Sequence, residues 1–553
     1  MTAEPLERAP DWTDEERPSM PGSAPSIAHA PSLRLAYAGI GVLLALTGGL
    51  GNALVGANLP NIQGHLGLTP TQGAWIPAAY LMVNVSSNLV LFKVRQQYGL
   101  RRFAEFGLLA SALVSFLHLF VESFGMAVFV RAASGLAAAP LSAMATMYML
   151  QAFPKAMMGQ GLVVALGIST LATPLAWLMS PALLDLGEWR GLYLFESGLA
   201  IISWAAVVAL KLPRSVRVRV IEPLDYVTFA LLGPALALIG AVFAQARTQW
   251  PPDHPWMAAA LAGALLLTLA AFALEHHRTN PLLQTRWLGS LGALRFALGA
   301  LGLRFLLSEQ TYSATGLLRT LGMGPDQLQP LYAVMLVGIL IGIAVSALTF
   351  NQKTVVPQIL LSVVLIAVGS FLDYGATSLT RPQNMFVSQF LLSVAGAMFM
   401  GPLLLVGIMP VLKRGPEYIV SFVVLFAIAQ SFGGLAGPAI LGTVQQFREH
   451  EYSAVINAGV DPTDGVVQQR LQLQGQVYGR VVTDPMLRQA QGIGQLAQAA
   501  TREANVRAYN DVFLLNGLLA LLFLGWSLAH VMRLAIAARK NPPPSAPTAT
   551  ASM

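Results

Sequence analysis

Fourteen stretches of about 20 mostly apolar residues recur along this sequence, and each is long enough to cross a bilayer as an α-helix. They lie near residues 33–56, 74–92, 104–121, 125–150, 158–182, 191–211, 224–245, 256–275, 293–316, 329–350, 355–374, 385–411, 418–445 and 510–536. Only 11% of the 553 residues are charged, whereas soluble domains carry about 25%. The sequence therefore predicts an all-α polytopic membrane protein with 14 transmembrane helices, numbered here as spans 1 to 14.

Basic residues are divided unequally between the two sides of the membrane. If the N-terminus is cytoplasmic, the cytoplasmic loops hold fifteen, namely Lys93, Arg95, Arg101, Arg102, Lys155, Lys211, Arg214, Arg217, Arg219, Arg278, Arg286, Arg295, Lys353, Lys413 and Arg414. The short loops on the other side hold four: Arg190, Arg247, Arg319 and Arg381. Since cytoplasmic loops are enriched in Lys and Arg, both termini are predicted to be cytoplasmic. Basic residues spread over short loops also argue against nucleic acid as a partner, despite the pI near 9.7.

Three segments lie outside the predicted spans. The acidic, Pro-rich residues 1–32 and the Pro-rich residues 537–553 are predicted to be disordered cytoplasmic tails. Residues 446–509 form a long polar segment between the last two spans. Their Gln- and Ala-rich composition favours a small helical element outside the membrane, and a solvated spacer is the alternative.

The sequence lacks the motifs of several function classes. It has no cysteine, so thiolate metal sites and cysteine nucleophiles are excluded. No GxxxxGK[ST], HExxH or GxSxG motif is present, which argues against an ATP-driven pump within this chain and against an enzyme. The adjacent pair His276–His277 points about 100° apart on a helix and does not predict a metal site. No cofactor is expected, and a transporter or channel is the favoured class.

Six segments resemble, in order and at similar spacing, motifs of the major facilitator superfamily, in particular the fourteen-span drug/proton antiporters of the EmrB type. They are residues 55–82, 130–142, 188–201, 277–288, 427–444 and 502–521. The segment "VRAASGLAAAPLS" carries the buried arginine of span 4 as Arg131, with Gly135 four residues later. The segment "FKVRQQYGLRRF" retains Gly99, Arg101 and Arg102 of the loop after span 2, and "ATP" retains Pro174 of the span 5 motif.

The resemblance implies a major facilitator fold, with two six-helix bundles at residues 33–211 and 291–536. A linker at residues 212–290 would contribute two inserted helices. The implied function is proton-driven export of drugs or other amphiphilic compounds across the bacterial inner membrane by alternating access. Relatives of this type pass substrate to a periplasmic adaptor (a membrane-fusion protein) and an outer-membrane channel, and residues 446–509 are the candidate docking element. The expected partners are thus a small amphiphilic substrate, membrane lipid and such an adaptor.

Three features depart from the family pattern. The Gly-Pro-rich antiporter motif of span 5 is reduced to Gly167 and the "ATP" of residues 172–174. Gly51 stands where span 1 is expected to carry an aspartate, and Gln96 stands where the loop after span 2 is expected to carry an acid. These changes leave two alternatives to proton-driven drug export open. One is an uncoupled or dedicated metabolite exporter, and the other is a membrane scaffold or sensor that does not transport.

Span 9 carries two charges at bilayer depth, Arg304 near its centre and Glu309 five residues later. A charge at the bilayer centre costs about 2.5–3.5 kcal/mol even on the gentlest scale, so both are expected to face water or protein. On an ideal α-helix they point about 140° apart, so each needs its own partner. Glu309 is predicted to carry the proton, and Arg131 to tune it or to hold substrate; a structural ion pair is the alternative.

Five side chains are expected to line a substrate cavity between the two halves, with core packing as the alternative for several of them. They are Arg304, Tyr312, Met398, Met400 and Gln430. Methionine and aromatic side chains suit a cavity that accepts varied apolar compounds.

Overall fold

The computed structural model describes residues 6, 12, 13, 16–18, 22–249, 253–415, 417–461 and 463–540. Fourteen helices in it are long and apolar enough to cross a membrane, as the sequence predicts. The first half contains α1 (Pro31–Ala57), α2 (Leu59–His65), α3 (Pro70–Tyr98), α4 (Leu100–Leu117), α5 (Phe124–Ala152), α6 (Met158–Thr170) and α7 (Ala172–Ala209). Span 5 consists of α6 and the start of α7, and span 6 is the rest of α7.

The inserted spans and the second half follow. Spans 7 and 8 are α8 (Pro223–Gln245) and α9 (Pro255–His276). The second half contains α10 (Thr285–Leu288), α11 (Leu291–Leu306), α12 (Thr315–Thr320), α13 (Pro325–Leu348), α14 (Val355–Asp373), α15 (Phe386–Met398), α16 (Met400–Leu412), α17 (Glu417–Ala458), α18 (Gly465–Gln476) and α19 (Pro485–Lys540). Span 9 is α11 and α12 with a π-helix between them, and span 12 is α15 and α16.

The two halves meet along two seams. In one, α13 packs against α6 and α7; in the other, α17 packs against α3. The inserted helix α8 lies along α3 and also contacts α17, so it covers the second seam from one side. Glycines allow close approach in the first seam, because a Cβ added at Gly167 would lie 2.5 Å from Ile343 Cγ1.

A buried ion-pair network holds the inserted helices against α3. Arg278, which follows α9, contacts Glu275 at 2.6 Å and Asp225 of α8 at 2.9 Å. Lys93 of α3 reaches the other oxygen of Asp225 at 2.8 Å. Glu275 also accepts the backbone N–H of Leu282 at 2.5 Å. Because every carboxylate has a cationic partner, these charges can be buried.

The two ends of the molecule are distinguished by what lies on them. At one end, called here the tail face, residues 22–30 pack onto the bundle. Gln151 donates to a carbonyl of this segment at 2.9 Å, and a Cβ added at Gly22 would lie 2.7 Å from Gln96 Cγ. This packing differs from the disorder expected throughout residues 1–32.

The opposite end, called here the α18 face, carries a helical protrusion. There α17 and α19 extend beyond the other helices, and α18 packs on the extension of α19. Gln495 donates to Tyr478 at 2.7 Å, and a Cβ added at Gly475 would lie 2.8 Å from the carbonyl oxygen of Arg488. The polar segment between spans 13 and 14 is therefore a helical element.

Candidate functional site

Glu309 begins a π-helix that interrupts span 9 from Glu309 to Ala314. A π-helix inserts an extra residue per turn, and such bulges occur frequently at functional sites. The angle of 140° to Arg304 that the sequence predicts assumes an unbroken α-helix, so it does not apply here. Glu309 lies in the interior of the second half, where its side chain is fully buried.

Glu309 shares one amide with a second carboxylate. Gln389 Nε2 of α15 donates to Glu309 Oε1 at 3.3 Å and to Asp373 Oδ2 at 2.7 Å. Asp373 is the last residue of α14, and its Oδ1 accepts from Ser388 Oγ at 2.5 Å. Among the described residues neither carboxyl group forms an ion pair, and Glu309 Oε2 has no hydrogen-bond partner. We call Glu309, Asp373 and Gln389 the carboxyl pair site.

The carboxyl pair site borders a cavity open at the α18 face. The cavity has a volume of about 340 Å³ and lies under the loop between α14 and α15. Its lining includes Asp373, Thr377, Thr380 and Asn384, and Thr377 is exposed. Water can therefore approach Asp373, which shares the Gln389 amide with the buried Glu309.

Arg304 does not join Glu309. Its side chain lies against two glycines of α17, since a Cβ added at Gly433 would be 2.8 Å from Arg304 Cβ and one at Gly434 would be 3.3 Å from its Nε. The side chain is partly exposed, and it makes no hydrogen bond or ion pair within the described part of the chain. Span 9 and α17 thus approach closely at these glycines, and the Arg304 guanidinium beside them is unpaired in the described structure.

Arg131 lies in the first half and is not in contact with Glu309. Its Nη1 donates to the carbonyl of Gly51 at 3.2 Å and its Nη2 to Asn52 Oδ1 at 2.9 Å, both on α1. The guanidinium lies 4.7 Å from the centre of the Tyr80 ring. Arg131 therefore links α5 to α1 and α3, so the expected tuning of Glu309 has no direct contact to act through.

The other residues expected to line a substrate cavity are spread over the second half. Tyr312 is buried, and its hydroxyl donates to Gln445 at 3.3 Å. Met398 is fully buried, and its backbone carbonyl accepts from Ser346 Oγ at 3.1 Å. Met400, the first residue of α16, is partly buried against the core. Gln430 of α17 donates weakly to the Ala300 carbonyl at 3.5 Å.

The conformational motif residues make mostly helix-packing contacts. Gly99 adopts φ +86°, and Arg101 donates to the Leu212 carbonyl at 2.7 Å, whereas Arg102 is exposed. A Cβ added at Gly135 would lie 2.2 Å from a backbone oxygen of α3, so only glycine permits this approach. Pro174 is buried in the first turn of α7, just after the break in span 5.

A second cavity, of about 410 Å³, opens at the tail face of the second half. Its wall is almost wholly apolar and comes from α11, α14, α16, α17 and α19, including Phe296, Leu403 and Trp526. Arg295 and Arg414 stand at its mouth, and both are exposed. None of the five residues that the sequence suggests for the substrate cavity lines it.

Sequence reasoning misses two residues of the carboxyl pair site, Asp373 and Gln389. Asp373 ends an apolar run and is easily taken for an ordinary helix terminus. Gln389 lies within such a run, where an interhelical hydrogen bond is the usual explanation. Glu196, early in span 6, does carry a signal in the sequence, because an acid inside a span is costly unless it caps a helix or has a partner.

The comparisons with known proteins agree on the fold. A family model for the Major Facilitator Superfamily matches residues 41–438. The uncharacterized transporter YebQ of Escherichia coli (strain K12) is 26% identical over 164 residues, which cover 30% of this chain and 35% of that protein. The chain thus matches about a third of the length of this curated relative.

Two solved structures show the same architecture. The human organic anion transporter MFSD10 (TETRAN) has a TM-score of 0.52 at 13% identity, over 89% of this chain and 100% of that one. A bacterial homologue of the human drug peptide transporters PepT1 and PepT2 has a TM-score of 0.57 at 11% identity, over 91% and 99%. At such identities the likeness concerns the fold alone. With fourteen spans in two packed halves and a family match over most of its length, the chain is a multi-pass membrane transporter that belongs to the Major Facilitator Superfamily.

Proposed function

We propose that the protein exports amphiphilic compounds and that protons returning through the carboxyl pair site drive the export. The observation that carries this proposal is that Glu309 and Asp373 share one amide donor, with no cation beside them in the described structure. Two neighbouring buried carboxyl groups hold one proton between them more readily than two negative charges. Such a site binds a proton from one side of the membrane and releases it when the protein opens to the other.

The polarity of the site supports the direction of proton flow. We assign the α18 face to the periplasm and the tail face to the cytoplasm of a bacterial inner membrane, because the basic loops lie at the tail face. The 340 Å³ cavity then connects Asp373 to the periplasm, from which protons enter. Glu309, deeper in the bundle, is the group that passes the proton on when the two halves rock.

An amphiphilic substrate is supported by the second cavity. Its apolar wall would take a hydrocarbon body, and Arg295 and Arg414 at the mouth would favour an anionic head. Arg304 offers a further unpaired cation beside α17 in the described structure. We therefore place anionic amphiphiles first among the substrates, ahead of the lipophilic cations.

Transport by the purified protein in proteoliposomes tests the proton coupling. We expect efflux of a fluorescent anionic amphiphile to accelerate when a pH gradient is imposed and to slow when the gradient is collapsed by an ionophore. Ethidium, run in parallel, tests the charge preference. A rate that ignores the pH gradient for every transported compound would point to an uncoupled exporter.

We also propose that the protrusion at the α18 face docks a periplasmic adaptor. It exposes apolar side chains to solvent, among them Val477, Val481 and Met486, which are 77%, 85% and 80% exposed. Exposed apolar patches of this kind are typical of protein–protein contact sites. The helical form of the protrusion suits an adaptor that presents helices of its own.

Negative charge introduced into this apolar patch should prevent the adaptor from binding to the transporter. We expect Val477→Glu combined with Val481→Glu to abolish resistance in cells while leaving transport in proteoliposomes unchanged. Gln469→Glu, an exposed position on α18, is the matched control for added charge. Cellular resistance that survives the double substitution would remove the adaptor from the proposal.

A further inference from the structure

Glu196 is a buried acid of span 6 that takes no part in the carboxyl pair site. Its side chain is 8% exposed and lies in the interior of the first half, far along the sequence from Glu309. The carboxyl group occupies the space above Gly51 of α1, because a Cβ added at Gly51 would lie 2.6 Å from Glu196 Oε1. The absent side chain of Gly51 is therefore what makes room for this acid.

The contacts of Glu196 suit a carboxyl group that binds and releases a proton. Ser115 Oγ of α4 donates to Glu196 Oε1 at 3.2 Å. Arg131 approaches the same region but bonds to Gly51 and Asn52, and it forms no ion pair with Glu196 among the described residues. The Nε of Arg131 is buried without a hydrogen-bond partner. A nearby guanidinium with an unused donor can receive the carboxylate once the proton leaves.

Besides Arg131, the titratable groups described around this acid are aromatic. Tyr80 of α3 lies under Arg131 at 4.7 Å, and Tyr193 is one turn before Glu196 on α7. His118 stacks on Tyr193 with 4.4 Å between ring centres, and its two ring nitrogens lie within hydrogen-bond distance of Val114 O and Ser134 Oγ. Among the described residues of this group, Arg131 is thus the permanent charge and Glu196 the carboxyl group.

A small polar cavity lies beside the carboxyl group. It measures about 20 Å³, enough for a single water molecule, and Glu196 lines it. Hydroxyl groups of Thr47, Ser111, Ser115 and Ser134 complete its polar wall. A water molecule held there can exchange protons with the carboxyl group.

We propose that Glu196 is a second proton-binding site, in the first half of the transporter, and that Arg131 is the group that senses its charge. Protonated Glu196 stays hydrogen-bonded to Ser115, as in this structure. The deprotonated carboxylate turns to Arg131 and weakens the hold of Arg131 on Gly51 and Asn52. Since Gly51 and Asn52 belong to α1, the charge of Glu196 then biases the packing of α1 against α5. The proposal rests on the proposed proton-driven function and adds a site to it.

Infrared spectroscopy of the purified protein tests the site without knowledge of the substrate. The C=O stretch of protonated carboxyl groups is followed as pH rises, and we expect the Glu196→Gln spectrum to lose one titrating component. Glu309→Gln should lose a different one. If the wild-type and Glu196→Gln bands titrate identically, Glu196 is not a proton-binding site.

Moving the carboxyl group to another position separates the loss of a proton-binding group from simple structural damage. Glu196→Ala removes the acid and leaves space, and adding Gly51→Asp returns a carboxyl group to the same space from α1. We expect the double variant to recover the lost component and the proton-driven transport, and failure of both with a normal melting temperature would overturn the proposal. Gly51→Ala alone should disturb the component, whereas Gly56→Ala, whose Cβ would meet nothing within 4 Å, should not. Should wild-type transport ignore pH while Glu196 still titrates, the proposed function would fail and the site would stand.

Discussion

Glu309→Gln should remove the proton-driven component of transport and leave a slow rate that no longer depends on pH. The amide keeps the shape of the side chain and accepts the same hydrogen bond from Gln389, but it cannot carry a proton. A coupling free energy of about 1–3 kcal/mol between two ligands corresponds to about 5–150-fold in affinity, so a loss in this range is expected. Efflux from proteoliposomes with and without a pH gradient measures it.

Asp373→Asn should give a milder version of the same defect. It removes the outer member of the pair, so Glu309 keeps its role but is left with an amide in place of a carboxyl partner. We expect the pH at half-maximal transport to shift while coupling survives. Glu503→Gln is the matched control, because this carboxylate is partly exposed and makes only a local pair with Arg507. Full proton-driven transport by Glu309→Gln would show that the proton travels elsewhere.

The fold could be predicted from the sequence because the apolar composition of each span indicates by itself that the segment lies in the membrane. A run of apolar residues long enough for the bilayer has one stable form there, so the spans and their number follow from local composition. The same reasoning singles out Glu309, since a buried charge is visible in one segment. Its partner Asp373 is not, because the two are separated by 64 positions (373 − 309) and meet only through packing of α14 and α15 against span 9.

The first half gives a clearer example of contacts that cannot be predicted from the sequence. Gly51 reads in the sequence as the loss of an acid from span 1, whereas in the structure it is the space that Glu196 fills from span 6. No local pattern connects two residues that lie 145 positions apart (196 − 51). The sequence singles out Arg131 as a buried arginine, and it is 1% exposed, but its partners on α1 and its separation from Glu309 depend on how the helices are arranged. A π-helix in span 9 is likewise set by packing and not by a recognisable motif.

The junction of the inserted helices carries the largest expected effect on stability. Arg278 is 4% exposed and lies among three carboxylates, of which Glu275 and Asp225 are 0% and 2% exposed. Removing one partner of a buried ion pair typically costs about 3–5 kcal/mol, because the remaining charge is left uncompensated. Arg278→Met removes a cation that faces more than one carboxylate, so we expect a loss at the upper end of this range.

Arg278→Met should therefore unfold at a markedly lower temperature in detergent than the wild type, and α8 and α9 should become accessible to protease before the two halves separate. Lys93 cannot replace the lost cation, because it already binds the far oxygen of Asp225 at 2.8 Å and does not reach Glu275 within the described structure. Arg278→Lys should recover part of the loss, since a single ammonium group cannot match the forked contacts of a guanidinium. Arg286→Met, an exposed arginine of the same linker, should melt like the wild type. If Arg278→Met also melts like the wild type, water must reach this network, and the inserted helices are held to α3 by their apolar contacts alone.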